Sequence, residues 1–360
     1  MGSPDEVAAD AATRTSGRLQ LQVREVIRET ADAASVVFEA PAAGFTYRPG
    51  QFITVGAQLP DGMAPRCYSL SSAPDHDPHP AITVKRVPGG QVSNWLIDHA
   101  TPGMSVDIIP PTGAFTPREW TDDFVVVAAG SGITPAMSII KTALKTHDNA
   151  VTLIYANRDE QSVIFAAAIA DLVQAYPSRF VVRHWLESER GLPTAAELAP
   201  LVSDGNENRV AYLCGPTPFM DVAHAALEAA GLPPTRIHRE LFYSLTTNPF
   251  ATAAGTTAAD PATPSAPAAD GARVTVDIEG QTHEVAWPRD ALLLDVLLDN
   301  GIEAPYVCRE GNCGGCEFIL TEGEVEMRVN DTLDEFDLRR GARLACQSTP
   351  VSDVVAITYD

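Results

Sequence analysis

Read as a pattern of apolar and polar positions, the chain falls into three textures. Residues 17–119 carry short alternating or β-rich runs (LQLQVREV, SVVFEA, QFITVGA, AITVKRV, SVDIIP) separated by Gly, Pro and Asp, and only 92–99 has helical spacing. Period-two runs broken by turn residues predict an antiparallel β-barrel. Residues 120–245 change to continuous apolar runs, DFVVVAAG, AVTLIYAN, RFVVRHWL and RVAYLCG, with helical stretches around 135–146, 161–176, 195–201 and 218–230 between them. Strands without a polar face, joined by helices, predict a parallel α/β sheet covered on both sides. The run 246–271, TTNPFATAAGTTAADPATPSAPAADG, offers no apolar face and predicts a solvated linker. As a flexible coil it would span roughly 25–30 Å root-mean-square. Residues 272–360 read VTVDIE, HEVAW, a helix around 292–300, a Gly/Cys loop, EFILTEG, a short helix near 333–338, RLACQS and VVAITY. That order predicts a small α+β module, a mixed sheet clasping a helix. Residues 1–16 are acidic and rich in small residues, and are expected to form a disordered tail. The expected fold class is therefore multidomain.

Composition sharpens this picture in two ways. Of 360 residues 45% are hydrophobic and 20% charged, enough to bury real cores. The 25 basic against 47 acidic side chains give a net charge of -22, which repels phosphate backbones and anionic lipid, so neither nucleic acid nor membrane is an expected partner. No run of about eighteen apolar residues and no basic-then-apolar leader is present, which predicts a cytoplasmic protein. Residues 272–360 hold 18 acidic and 7 basic side chains, half the net charge in a quarter of the chain. That excess reads equally as solubility or as steering toward a basic partner.

Four of the six cysteines crowd the C-terminal module. CREGNCGGC and LACQ place Cys308, Cys313, Cys316 and Cys346 three close and one remote, the plant-type spacing for a [2Fe-2S] cluster. A structural zinc site also uses four thiolates, but usually as two close pairs. Gly311, Gly314 and Gly315 let the backbone wrap the sulfurs, and Arg309 is placed to offset negative charge. The stretch resembles the plant-type ferredoxin family, which implies a β-grasp fold and one-electron chemistry.

In the first domain Arg66-Cys67-Tyr68-Ser69 sits on a β-like run, and Gly89-Gly90-Gln91-Val92-Ser93 opens the single helix. A flavin nucleotide needs a cation for phosphate, an aromatic face for its ring and a helix N-terminus for the remaining charge; Arg66, Tyr68 and the 90–93 turn offer these in order. Ser69 is placed to hydrogen-bond the redox edge, while Cys67 reads as packing. Together these motifs resemble the flavin barrel of the ferredoxin-reductase family. The strand containing Val84 and Lys85, running into Pro-Gly-Gly, resembles its FAD-using members and favours FAD over FMN.

In the second domain Gly130-Ser131-Gly132-Ile133-Thr134-Pro135 follows the strand DFVVVA. Gly130 and Gly132 allow close approach to a pyrophosphate, Thr134 is placed to cap the helix, and Pro135 suits its first turn. The loop lacks the last glycine of a G-x-G-x-x-G fingerprint and looks instead like the nicotinamide loop of ferredoxin reductases. Cys214-Gly215-Pro216 matches that family's C-G-P motif, at a strand end that the resemblance places opposite the nicotinamide. Asn157, Arg158, Asp159 and Glu160 follow the second strand; two carboxylates there favour NADH over NADPH, while Arg158 argues the other way. The domain closes on HRELF, where family members set an acid and an aromatic beside the flavin, which makes Glu240 and Phe242 candidates for the hydride path along with Ser69 and Cys214.

Hydride brings two electrons and a two-iron cluster takes one, so a flavin between them is the expected adaptor. The whole-chain pattern (SNWL, LIYANRD, HWLES, CGP with PFM, CREG with LACQS) resembles the reductase components of bacterial 3-ketosteroid 9α-hydroxylases. That resemblance implies NADH-dependent delivery of electrons to a separate Rieske-type terminal oxygenase in steroid degradation. The alternatives are the reductase of a phenylacetyl-CoA epoxidase, with a diiron partner, and a non-enzymatic electron carrier.

Overall fold

The computed structural model describes residues 18–41, 45–203, 208–245, 248–250, 271–278 and 280–359. The expected N-terminal tail and most of the expected linker lie outside the described residues.

The first sheet contains β1 (Leu19–Arg28), β2 (Ala33–Phe38), β3 (Phe52–Leu59), β4 (Gly62–Ser69), β5 (Ala81–Lys85) and β6 (Ser105–Thr112), with α1 (Gln91–His99) between the last two. The order β4-β3-β6-β1-β2-β5 is antiparallel throughout. A bridge from Leu70 to Ile82 brings its two ends together and curls the sheet into a barrel. Leu21, Phe38, Ile53, Val84 and Leu96 fill the inside. Burying each such side chain contributes about 1.5–3 kcal/mol.

The second sheet is parallel, in the order β11 (Ile237–Glu240), β10 (Arg209–Cys214), β7 (Asp123–Ala129), β8 (Val151–Asn157), β9 (Phe180–Leu186). Along β7, Phe124, Val126 and Ala128 face the core under α2 (Ile133–Thr146) and α3 (Ala166–Ala175). Val125 and Val127 face the core on the other side, which holds residues of α5 (Ala195–Val202) and α6 (Thr217–Ala229). A short α4 (Glu187–Arg190) follows β9. The chain leaves β7 toward β8 on one side and returns to β10 on the other, so the crevice beyond the C-terminal ends of β7 and β10 is the topological switch point where ligands bind in such sheets. Helix α2 also docks this domain on the barrel: Ser138 donates to the Ser72 carbonyl (2.6 Å) and Lys141 pairs with Asp77 (2.8 Å).

The third unit has β12 (Gly271–Ile278), β13 (Gln281–Pro288), α7 (Leu293–Asp299), β14 (Glu317–Glu322), β15 (Val325–Met327), α8 (Glu335–Arg339), β16 (Ala342–Leu344), β17 (Ser348–Pro350) and β18 (Val354–Thr358). Its mixed sheet, β13-β12-β18-β14-β16, packs Val274, Phe318 and Ile357 against Leu293, Leu294 and Leu297 of α7.

One expectation fails in the described part of the linker. Phe250 is 6% exposed, its ring and the Met63 sulfur both filling the space that Gly56 leaves by lacking a Cβ, and Arg18 lies over its ring. Asn248 donates to the Met63 carbonyl (2.7 Å). The segment 248–250 is thus pinned to the barrel by the one aromatic in an otherwise small-residue run.

Candidate functional site

A cavity of about 270 Å³ opens between the barrel, the parallel sheet and the third unit. The end of β4 contributes Arg66, Cys67, Tyr68 and Ser69, and the start of α1 contributes Gly90, Gln91, Val92 and Ser93. Tyr68 Oη, Ser69 Oγ and Ser93 Oγ are buried there without a hydrogen-bond partner. Each such orphan costs about 1–3 kcal/mol, so three together mark a wall shaped for a polar ligand. The Arg66 side chain has neither an ion pair nor a hydrogen bond among the described residues. Gly90 caps α1 with no side chain, and a Cβ there would lie 2.5 Å from Ser93 Oγ, so the helix N-terminus is kept open. Burial raises the Tyr68 phenol above its ordinary range and pushes the Cys67 thiol up to about 12. Cys67 stays an uncharged packing group near Thr54 Oγ1 (3.5 Å). An unpaired guanidinium, orphaned hydroxyls, an aromatic and an open helix end fit a flavin nucleotide. Val84 does not reach the cavity; its side chain is in the barrel core, and only Lys85 of that pair lines the wall.

A second cavity, about 800 Å³, lies at the switch point. Gly130, with φ +53°, begins a 3-10 turn running straight into α2. Gly132 is required for packing: a Cβ there would stand 2.0 Å from the Cys214 carbonyl oxygen, so the glycine loop and the Cys-Gly-Pro loop touch backbone to backbone. Gly215 and Pro216 line this cavity. Cys214 does not; it is 1% exposed in the core, and burial drives its thiol well above the ordinary range. Pro135 is in the first turn of α2 as expected, but Thr134 is not the cap. It sits inside the helix, its hydroxyl donating to the Ser131 carbonyl (3.0 Å).

At the far end of this cavity stand Asn157 and Arg158, with Trp185, Glu187, Leu192 and Pro193. Asp159 is not among the lining residues. Its carboxylate accepts from the Ser162 backbone N–H (2.9 Å) and caps the short turn after β8. The carboxylate facing the cavity is instead Glu187, at the start of α4, a position the sequence pattern did not single out.

The two cavities share Lys85, Ser131 and the segment Leu241–Phe242–Tyr243. The Lys85 side chain has no ion pair or hydrogen bond among the described residues, and its Nζ lies 3.6 Å from where a Cβ on Gly130 would sit. Phe242 follows β11 and is 53% exposed, which is unusual for a large apolar side chain between two cavities. Glu240 lines the smaller cavity, and desolvation pushes its carboxyl up to about 8.

The opposite wall of the smaller cavity comes from the third unit: Cys308, Asn312, Cys313 and Thr332. The four thiols neighbour one another in the series Cys313, Cys308, Cys346, Cys316. Among the described residues no three His, Cys, Asp or Glu converge as ligands of a single ion would. Backbone N–H groups of Glu310, Gly315 and Cys346 point at Cys308, Cys313 and Cys316 Sγ at 3.3, 3.3 and 3.4 Å. Gln347 Nε2 lies 3.6 Å from Cys346 Sγ. Donors aimed at every sulfur stabilise thiolates, and the fit is to a cluster that spreads four thiolates over two metals. Gly311 and Gly314 take positive φ, and so does Arg309. The Arg309 guanidinium turns to Asp295 (3.3 Å) and lies over the Tyr306 ring.

The cluster loop reaches the flavin cavity because the third unit is docked there. A Cβ on Gly314 would stand 3.5 Å from Ala114 of the barrel side, so the loop backbone lies close against it. Arg118 pairs with Asp334 (3.4 Å) and with Asp337, and covers the ring of Phe336, while His238 of β11 approaches Asp334 (3.6 Å).

Comparison with known proteins matches three family models in the same order. These are an oxidoreductase FAD-binding domain over residues 18–116, an oxidoreductase NAD-binding domain over 126–225 and a 2Fe-2S iron-sulfur cluster binding domain over 276–351. The chain is 49% identical to the ferredoxin reductase component of 3-ketosteroid-9-alpha-monooxygenase from Mycolicibacterium smegmatis, covering 95% of this chain and 97% of that one. It is 32% identical to one component of the 1,2-phenylacetyl-CoA epoxidase of Escherichia coli, over 94% and 97% of the two chains. The solved structure of phthalate dioxygenase reductase covers 95% of this chain and 98% of its own at 23% identity, with a TM-score of 0.55, and shows the same fold. No helix among the described residues is long and apolar enough to cross a membrane.

Proposed function

The chain belongs to the family of ferredoxin reductase components of 3-ketosteroid-9-alpha-monooxygenases, with FAD-binding, NAD-binding and 2Fe-2S domains, and from that premise we propose that it takes electrons from cytoplasmic NADH and delivers them singly to a Rieske-type terminal oxygenase that hydroxylates a 3-ketosteroid. The observation that supports an ordered relay is one cavity with Arg66, Tyr68 and Ser69 on one wall and Cys308 and Cys313 on the other.

When bound, a flavin accepts a hydride's electron pair and gives it up in single steps, and a two-iron cluster carries one electron at a time. The chain's own residues arrange this traffic. Arg66 and the α1 N-terminus neutralise phosphate, with Ser93 Oγ as a further donor. Tyr68 offers an aromatic face and Ser69 a hydroxyl at the ring edge. Lys85, which lines both cavities, would offer its ammonium to a phosphate in either of them. Gly130, Gly215 and Pro216 would let a nicotinamide half lie close to backbone, with Phe242 standing where the two cavities meet. Glu240, neutral at pH 7, presents a carboxylic acid O–H to the cavity rather than a charge that would repel negative charge gathering there.

Anaerobic rapid mixing with NADH tests the sequence of events. Flavin absorbance is expected to bleach first and the cluster signal to follow. Adding candidate oxygenases with a 3-ketosteroid is then expected to restore NADH turnover coupled to hydroxylation. Turnover restored only by a diiron epoxidase would favour the reading suggested by the 32% identical relative, and absence of flavin bleaching would leave only a carrier.

A further inference from the structure

We propose that Asp32 of the barrel is a specificity-determining positioning residue, holding Arg158 in an ion pair and so withdrawing it from a 2′-phosphate at the far end of the nucleotide cavity. The inference rests on the NADH reading and deepens it.

Arg158 follows β8, the second strand of the parallel sheet, where an arginine ordinarily accommodates the 2′-phosphate of NADPH. It lines the larger cavity and its side chain is 64% exposed, so nothing steric keeps it from a phosphate. Its guanidinium instead reaches across the domain boundary to Asp32 Oδ2 at 3.1 Å. Asp32 sits in the turn between β1 and β2 and is held in place on two sides. Thr30 Oγ1 donates to its Oδ1 (2.8 Å), and its carbonyl accepts from the Arg86 N–H (2.7 Å). The carboxylate therefore comes preorganised, and Arg158 is the more exposed partner. Glu187 lines the same end of the cavity. With Arg158 offset by Asp32, the local balance of these three groups is one negative charge. That balance accepts a ribose hydroxyl and repels a phosphate dianion. An exposed pair of this kind adds little to stability, so its effect is expected in recognition rather than in folding.

The test is steady-state and rapid-mixing flavin reduction with NADH and NADPH in the holoenzyme, for wild type, Asp32→Asn, Asp32→Glu and the double variant Asp32→Asn/Arg158→Ala. Asp32→Asn is expected to raise kcat/KM for NADPH about tenfold, the scale of one charge-assisted contact, through KM rather than kcat. Asp32→Glu, which keeps the clamp, is expected to retain the wild-type ratio, and the double variant to lose the gain. An unchanged ratio in Asp32→Asn, an equal loss with both nucleotides, or a gain that survives in the double variant would overturn the proposal. A wild type that prefers NADPH would instead overturn the NADH reading, and the clamp would then be decided by whether Asp32→Asn still raises NADPH use through Arg158.

Discussion

Arg118, between the barrel and the parallel sheet, pairs with Asp337, a carboxylate whose side chain is 1% exposed inside the third unit. Asp337 also receives Arg340 Nε (3.2 Å), and its neighbour Asp334 caps α8 (3.0 Å to the Asp337 N–H). The Arg118 contact from the flavin side to the cluster side is thus made to a carboxylate already ordered by its own domain, so Arg118 meets a fixed target. Removing one partner of a pair this buried costs more than an exposed bridge would, here about 1–3 kcal/mol because Arg340 remains. Arg118→Ala is expected to leave flavin reduction by NADH within about twofold and to slow flavin-to-cluster transfer about tenfold, since about 1.4 kcal/mol of lost docking is a factor of ten. Rapid-mixing absorbance resolves the two steps, and equal slowing of both would show that Arg118 supports the fold rather than the docking.

Cys313 lines the flavin cavity, whereas Cys316 and Cys346 are buried behind it. Cys313→Ser is expected to remove the cluster's visible and EPR signals and abolish delivery to the oxygenase. NADH oxidation by ferricyanide, a small acceptor able to drain the flavin directly, is expected to persist at about the wild-type rate, because the relay runs from flavin to cluster. Loss of both activities together would falsify that order.

What was legible in the chain follows from how local each signal is. Cys308, Cys313 and Cys316 and the glycine loop are local signals, several special residues within ten positions, whereas Cys346 stands thirty positions further on and is legible only together with them. The strand runs of β7, β8 and β10 are readable because both of their faces are buried, which leaves few polar interruptions, while the edge strand β9 carries Arg183 and His184. Partnerships between distant positions were not readable. Asp159 has the right type and place for a ribose ligand, yet its local N–H partner on Ser162 claims the carboxylate, and Glu187 faces the cavity instead. Phe250 was hidden by averaging over a run of Ala, Thr and Pro, although a single aromatic suffices to dock a segment. Nothing within the sequence around Arg118 or Asp32 announces a partner that lies, respectively, 219 positions later at Asp337 and 126 later at Arg158.

Gly132 has ordinary helical backbone, so the reason for glycine there is space alone. A methyl group would meet the Cys214 carbonyl oxygen at 2.0 Å and the Gly215 nitrogen at 2.8 Å, both backbone atoms at a strand end. Gly132→Ala must therefore part the two loops, at a cost of about 1–3 kcal/mol. Thermal unfolding is expected to drop by about 2–4 °C per kcal/mol. The KM for NADH is expected to rise several-fold, because Gly215 and Pro216 line the nucleotide cavity. A variant with normal KM and unchanged Tm would show that the loops can separate at no cost.

Glu240 lies beside Cys214 in the parallel register of β10 and β11 and faces the flavin cavity, where burial pushes its carboxyl from the usual 4.5 up to about 8. In the unfolded chain this group has lost its proton by neutral pH, while in the folded protein it holds that proton up to about 8. Folding therefore takes up a proton in that window, and the group's contribution to stability is fully present below 4.5, declines as pH rises toward 8 and stays low above it. For function the same shift means a neutral O–H donor at pH 7 and a carboxylate in alkaline solution. Flavin reduction by NADH is expected to fall along a single ionisation near pH 8, because the anion removes a donor and adds negative charge beside the incoming electrons. Glu240→Gln, which keeps a donor and cannot ionise, is expected to reduce the flavin at no less than about one tenth of the wild-type rate at pH 7 and to lose the alkaline inflection. Single-turnover mixing across the pH range measures both quantities, and an inflection that persists in Glu240→Gln would assign the ionisation to another group.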